Sequence, residues 1–294
     1  MSRVVPDERH PKPPGPGATA LAAAAARNLQ QRVTSGLVMI LVAVALVYAG
    51  IVPFALLVFA VGLLMSWEWG HLVGGASADT GSGVQAGAIL VAIMFAAVNA
   101  PLVALIPLGA GALVLFALTL HDRPAITAAG VLYVGLPAIA MVWVRENEPH
   151  GFAAVMFLFL VVWTTDTMAF AVGRAVGGPK LWPSISPNKT WSGFLGGVAS
   201  SAVLSALFAQ LVPGATSWRL GLIGLALGVI AQGGDLAESA LKRAFGVKDA
   251  SHLIPGHGGV MDRMDGVVAV AVAAGLLALV VDATAPASVL LIGR

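Results

Sequence analysis

The chain contains no cysteine, which excludes disulfides, thiol nucleophiles and thiolate-bound metals. Any metal must therefore sit on oxygen or imidazole, a donor set that favours hard cations such as Mg²⁺. Charge is the second scarcity. Asp, Glu, Lys and Arg supply only 10% of the 294 residues, whereas 58% are hydrophobic. Soluble domains carry roughly a quarter of their residues as charges, so this composition cannot make an ordinary water-facing surface. A lipid-facing surface needs no charge. The net charge of +2 gives no basis for expecting a nucleic-acid partner.

What the chain does have is a succession of apolar runs, at about 36–49, 52–72, 84–99, 101–120, 125–144, 151–172, 192–212, 218–237 and 266–283. Several approach the ~20 residues that cross a hydrocarbon core, and the first and third are short. Gly50 and Pro53 divide the first long run into two. The 35 glycines suit helices that pack closely in lipid. The expectation is an all-α, polytopic transmembrane bundle of about nine membrane helices, with residues 31–294 as one transmembrane catalytic domain. Ahead of it, residues 1–30 read as a disordered cytoplasmic tail. Pro6, Pro11, Pro13, Pro14 and Pro16 prevent a helix or a core there. The apolar stretch begins too late for a cleaved signal peptide.

Lysine and arginine set the orientation. With the N-terminus in the cytoplasm and nine crossings, only Arg145, Arg219 and Arg294 fall outside. The most polar stretches, 173–191 and 238–265, then share the cytoplasmic face.

Ionisable residues within apolar segments are costly and mark functional positions. Glu68, Asp166, Asp235 and Glu238 are of this kind. Asp166 lies eight residues before Arg174, about 12 Å along a helix. Asp235 and Glu238 share one helical face and repel each other unless a cation intervenes. Lys242 and Arg243 follow one turn later, so a plain salt-bridged helix end is an alternative reading. Further on, Gly256, Gly258 and Gly259 surround His257, making a backbone whose N–H groups could face phosphate oxygens. Asp262 and Asp265 repeat the three-residue spacing with Arg263 between them. Helix capping is the bland alternative for either aspartate. Arg174, Lys180 and Lys189 in the 173–191 stretch are phosphate partners or headgroup contacts. Together these pieces suggest one membrane-level site for a metal, phosphates and a lipid.

At these residues the chain resembles the phosphatidate cytidylyltransferase (CDP-diacylglycerol synthase) family. Ser239, Lys242, Arg243, Lys248, Asp249, Pro255, His257, Gly258, Gly259, Asp262, Arg263 and Asp265 match its signature in identity and spacing. Gly234–Ser239 and Ser186–Trp191 also look like family segments. The resemblance runs from about Arg32 to Asp282. One departure is visible: Ser192 stands where many members carry Glu.

The resemblance implies transfer of the cytidylyl group of CTP to phosphatidate, giving CDP-diacylglycerol and pyrophosphate. It implies Mg²⁺, with a monovalent cation such as K⁺ as a possible addition, a homodimer, and a bacterial cytoplasmic (inner) membrane location with a cytoplasmic active site. On this reading Asp235, Asp262, Asp265 and Asp166 are the metal-ligand candidates. Asp235, Asp262, Asp265, Lys242, Arg263 and His257 are the catalytic candidates. Lys189, Ser186, Asn188, Arg243, Lys248, Gly258, Gly259, Glu238 and Ser239 are the substrate-binding candidates. Two other activities suit a membrane protein with buried acids: a CTP-dependent kinase of a polyprenol-type lipid alcohol, and an ion-coupled transporter. The kinase would need a base for its alcohol, and no residue announces itself as one.

Overall fold

The computed structural model describes residues 34–73, 78–254 and 258–293, without side-chain detail at 78–80. The expected tail at 1–30 and His257 lie outside the described residues.

Every apolar run of the sequence forms a helix. They are α1 (Thr34–Tyr48), α2 (Ile51–Val73), α3 (Ala78–Ala96), α4 (Pro101–Leu118), α5 (Pro124–Glu146), α6 (Gly151–Val176), α7 (Trp191–Phe208), α8 (Ser217–Ala244) and α9 (Met261–Val281), followed by a short α10 (Pro286–Leu291). Among the described residues seven stretches, α2, α4, α5, α6, the α7 stretch to Leu211, α8 and α9, are long and apolar enough to cross a membrane. The apolar segments Thr34–Tyr48 and Gly81–Ala96 are shorter. Large apolar side chains such as Leu41, Leu56, Ile106, Leu113, Leu204 and Val280 are exposed on the outer faces. In water that surface would cost about 25 cal/mol per Å², and in lipid it costs nothing. The chain is a multi-pass membrane protein.

Short connections make sequential helices antiparallel neighbours, and contacts between loops fix the two ends. At one end, Arg123 donates to the Val73 carbonyl (3.1 Å) and lies over the Phe245 ring. At the other, Arg145 donates to the Val47 carbonyl (2.8 Å), and Asn147 reaches α10 through the Ala287 amide. Connections 119–123 and 177–190 and the described parts of the one between α8 and α9, 245–254 and 258–260, thus gather at one end of the bundle.

Two details differ from the sequence reading. The polar stretch 173–191 is not only loop: Lys180–Trp182 (β1) and Ser186–Thr190 (β2) form an antiparallel hairpin, pairing Lys180 with Thr190 and Trp182 with Ser186. The stretch 238–265 is helical at both of its ends, because α8 continues to Ala244 and α9 begins at Met261. α8 spans 28 residues, about 42 Å at 1.5 Å each. That exceeds the ~30 Å hydrocarbon core, so its charged last turns reach headgroup level.

Helices α6 and α7 touch backbone to backbone. A Cβ on Gly193 or Gly197 would lie 2.6 Å from the carbonyl oxygen of Ala169 or Thr165. Small residues at these positions allow that approach, as membrane helix pairs require. It sets the hairpin, which leads directly into α7, beside the end of α6. Thr190 caps α7 by accepting from the Gly193 amide (3.1 Å), and Ser192 donates to the Gly177 carbonyl. Ser192 therefore has a structural task here: it ties the start of the hairpin loop to the start of α7.

Candidate active site

A cavity of about 1540 Å³ opens among α1, α2, α5, α6, α8, α9 and the hairpin. One wall is apolar, with Met39, Leu57, Val61, Met141, Phe159 and Phe170 on it. The polar part of the lining carries Asp166, Arg174, Lys180, Asn188, Lys189, Asp235, Ser239, Lys242, Arg243, Lys248, Asp249, Asp262, Arg263 and Asp265. These side chains come from five parts of the chain, and the fold brings nearly all the chemistry singled out in the sequence to one place.

The polar wall has two halves. In the first, Lys189 from β2 pairs with Asp235 of α8 at 2.5 Å. Ser239, one turn on, donates to the other Asp235 oxygen at 3.3 Å. Asp166 of α6 accepts from Gln232 at 3.4 Å and lies in the fields of Asp235, Lys189 and Arg263. Asp265 of α9 lies in the fields of Asp235, Glu238 and Asp166. Helices α8 and α9 meet closely there, since a Cβ on Gly234 would sit 2.7 Å from the Asp265 carbonyl oxygen. Three carboxylates thus face one space, with Lys189 and Arg263 as the nearby cations.

The second half is buried. Lys242 Nζ lies 3.0 Å from Glu238 Oε1 and 2.5 Å from Asp262 Oδ1. The other oxygen of Glu238 accepts from the Tyr133 hydroxyl of α5 at 2.6 Å. Asp262 also accepts from the amides of Ala250 (3.0 Å) and Gly259 (2.8 Å). The Gly259 amide, expected to face phosphate, is therefore spent inside the protein. Gly258 has φ +84, a left-handed conformation that glycine adopts freely. A Cβ there would stand 2.9 Å from Asp262 Oδ2. Gly258, Gly259, Glu238 and Ser186 do not line the cavity. Arg243 donates to the Val247 carbonyl (3.0 Å) and stands with Lys248 at the exposed mouth.

Sequence reading gave Tyr133 no role, because nothing local links it to an acid 105 residues away. Replacing it tests the buried half. Tyr133→Phe leaves Glu238 Oε2 without its donor, and a buried acceptor left unsatisfied costs about 1–3 kcal/mol. The expected result is a lower melting temperature in detergent, and an unchanged one would show that Glu238 does not need this partner.

The donor set suits a hard cation: it is carboxylate oxygen, without thiolate. Among the described residues no three Asp, Glu or His side chains are gathered tightly enough to hold a metal unaided. Mg²⁺ usually takes one or two carboxylates and completes its shell with water and substrate phosphates. The paired acids here fit an ion held jointly with a nucleotide.

Comparison with known proteins accords with this site. The chain is 41% identical over 247 residues to phosphatidate cytidylyltransferases of Brucella abortus (strain 2308) and Brucella suis biovar 1 (strain 1330), covering 83% of this chain and 91% of each relative. It is 42% identical over 147 residues to the phosphatidate cytidylyltransferase of Bacillus subtilis (strain 168), covering 49% of this chain and 54% of that one. The model of the Cytidylyltransferase family matches residues 30–281, a stretch that contains every side chain of both halves of the polar wall, and the chain belongs to that family.

Proposed function

We propose that this cavity is the active site of a phosphatidate cytidylyltransferase. The protein transfers the cytidylyl group of CTP to phosphatidate, forming CDP-diacylglycerol for phospholipid synthesis. The observation that carries this reading is a cavity that joins apolar lining for acyl chains to Lys, Arg and Asp for phosphates, in a chain of this family.

In the reaction a phosphate oxygen of phosphatidate attacks the α-phosphorus of CTP. The bond from that phosphorus to the bridging oxygen breaks, and pyrophosphate leaves. A phosphate monoester is largely ionised at neutral pH, so no side chain has to remove a proton. The work left is positioning and charge neutralisation. Lys189, Arg263 and Lys242 neutralise the reacting phosphates, Arg243 and Lys248 draw the nucleotide in at the mouth, and Asn188 and Ser239 orient it. Asp235, Asp265, Asp262 and Asp166 would hold Mg²⁺, with K⁺ as a possible second ion. When bound, the metal supplies positive charge to phosphate oxygens and stabilises the leaving pyrophosphate. His257 keeps the catalytic candidacy that the family signature gives it.

On the same reading residues 31–294 form the catalytic domain and cross the membrane nine times, with α1 and α3 as the short spans. The tail at 1–30 and the active site face the cytoplasm of a bacterial inner membrane, and the chain works as a homodimer. The distribution of Lys and Arg supports this orientation.

The test is purified protein in detergent with radiolabelled CTP, phosphatidate and Mg²⁺. Labelled CDP-diacylglycerol and pyrophosphate should form, and EDTA should stop them. Release of CDP with a phosphorylated lipid alcohol would replace this reading by the kinase.

A further inference from the structure

Glu68 is fully buried on α2 and takes no part in lining the cavity. Its neighbours on that helix, Met65, Trp69 and Leu72, belong to the apolar core. A carboxylate in such surroundings is costly unless donors compensate it. Here it has three. Oε1 accepts from the Ser251 hydroxyl (2.5 Å) and the Val260 amide (2.8 Å), and Oε2 accepts from the Met261 amide (2.7 Å).

Those amides open α9. The N-cap residue of α9 is Val260, which has no side-chain oxygen and makes no cap of its own. Free N–H groups at a helix start need an acceptor, and a negative charge there also balances the helix dipole. Serine or aspartate at the N-cap would do this locally. Instead the acceptor comes from another helix, so the height and rotation of α9 are tied to α2. Gly259 permits the arrangement, because a Cβ there would lie 2.6 Å from Glu68 Oε1. The next residues along α9 are Asp262, Arg263 and Asp265, all on the polar wall.

We propose that Glu68 is a positioning residue of the transfer reaction. It clamps the first turn of α9 and, through Ser251, the chain next to Ala250, and so holds Asp262 and Asp265 at the places where they meet metal and phosphate. The inference rests on the reading of the cavity as the cytidylyltransferase site. Groups that orient ligands from behind typically contribute about 10–100-fold in metal affinity or activity.

The test uses full-length protein in detergent, comparing wild type with Glu68→Gln, Glu68→Asp and Ser251→Ala. Glutamine keeps the size of the side chain but loses the charge and turns an N–H₂ towards an N–H donor. Melting temperature reports folding, and specific activity is taken per folded protein. Glu68→Gln should lower kcat by about 10–100-fold while the KM for CTP changes far less. Binding of Mn²⁺ in the presence of CTP and without phosphatidate, followed by electron paramagnetic resonance, should weaken by about tenfold or more. Amide exchange should quicken at residues 250 and 259–262. Glu68→Asp, which keeps the charge, should recover part of the loss, and Ser251→Ala should lose less than Glu68→Gln. Should Glu68→Gln not fold, Glu68→Asp and Ser251→Ala still decide, through Mn²⁺ binding and exchange at the same amides. Wild-type Mn²⁺ binding and kcat in folded variants would overturn the proposal. Amide exchange reports on Glu68 even if wild type fails to use CTP, so failure of the functional reading is told apart from failure of this one.

Discussion

Asp235→Asn should lower the rate of CDP-diacylglycerol formation by at least about 10²–10³-fold, the usual scale for removing one preorganised charge from a transferring site. The exchange is isosteric, and Asp235 is only half-buried against the cavity, so folding should be spared. Three effects combine. A carboxylate that meets both a cation and a triphosphate is neutralised. Lys189, held 2.5 Å away, loses the partner that orients it and is free to follow solvent or lipid headgroups. Asp166 and Asp265 lose the like charge that makes the space between them attractive to a cation. The Mg²⁺ concentration for half-maximal rate should therefore rise together with the fall in kcat. Initial rates across an Mg²⁺ series, with melting temperature as the folding control, check this. A variant within threefold of wild type at every Mg²⁺ concentration would remove Asp235 from the reaction.

Much of this site could be read from one-dimensional spacing, and the limits of that reading follow from which contacts are local. Asp235, Glu238, Ser239 and Lys242 sit three or four residues apart, so a helix must present them together, and the pairs Asp235–Ser239 and Glu238–Lys242 do form. Asp262 and Asp265 obeyed the same rule. The apolar runs located helices α1 to α9 among the described residues, because a helix that meets lipid must be apolar along its length. What the runs could not mark is where a helix goes on once its residues turn polar. That is why α8 extends past residue 237 to Ala244, and α9 starts five residues before 266. The hairpin at 180–190 was hidden for a related reason: Lys180–Trp182 and Ser186–Thr190 are too short and too polar to show a strand period. Contacts between distant segments had no local signal at all. The cost of burying an acid flagged Glu68, yet its partners lie 183 to 193 residues onward. Lys242 was expected among the catalytic groups, and its bond to Asp262, 20 residues away, gives it a second task as a strut between helices.

That double task makes Lys242→Met the other variant with a large expected effect. Its ammonium is buried between Glu238 and Asp262. Methionine fills the space but leaves two carboxylates facing each other without a cation. Removing one partner from a buried ionic cluster typically costs about 3–5 kcal/mol, a large share of the ~5–15 kcal/mol that holds a typical soluble domain together. The variant should melt at a clearly lower temperature and give no detectable turnover. Stability and chemistry can then be separated by a second change. Glu238→Gln on top of Lys242→Met removes one of the two stranded charges. Asp262 keeps its amide donors, Ala250 and Gly259. Because these side chains touch, the two substitutions should couple rather than add, and the double variant should recover much of the lost melting temperature. It should not recover turnover, since the cation that faces the phosphates is still missing. Full recovery of both would make Lys242 a strut and nothing more. No recovery of either would mean that Glu238 and Asp262 do not repel across the gap, and that the ammonium serves the fold through contacts other than these two acids.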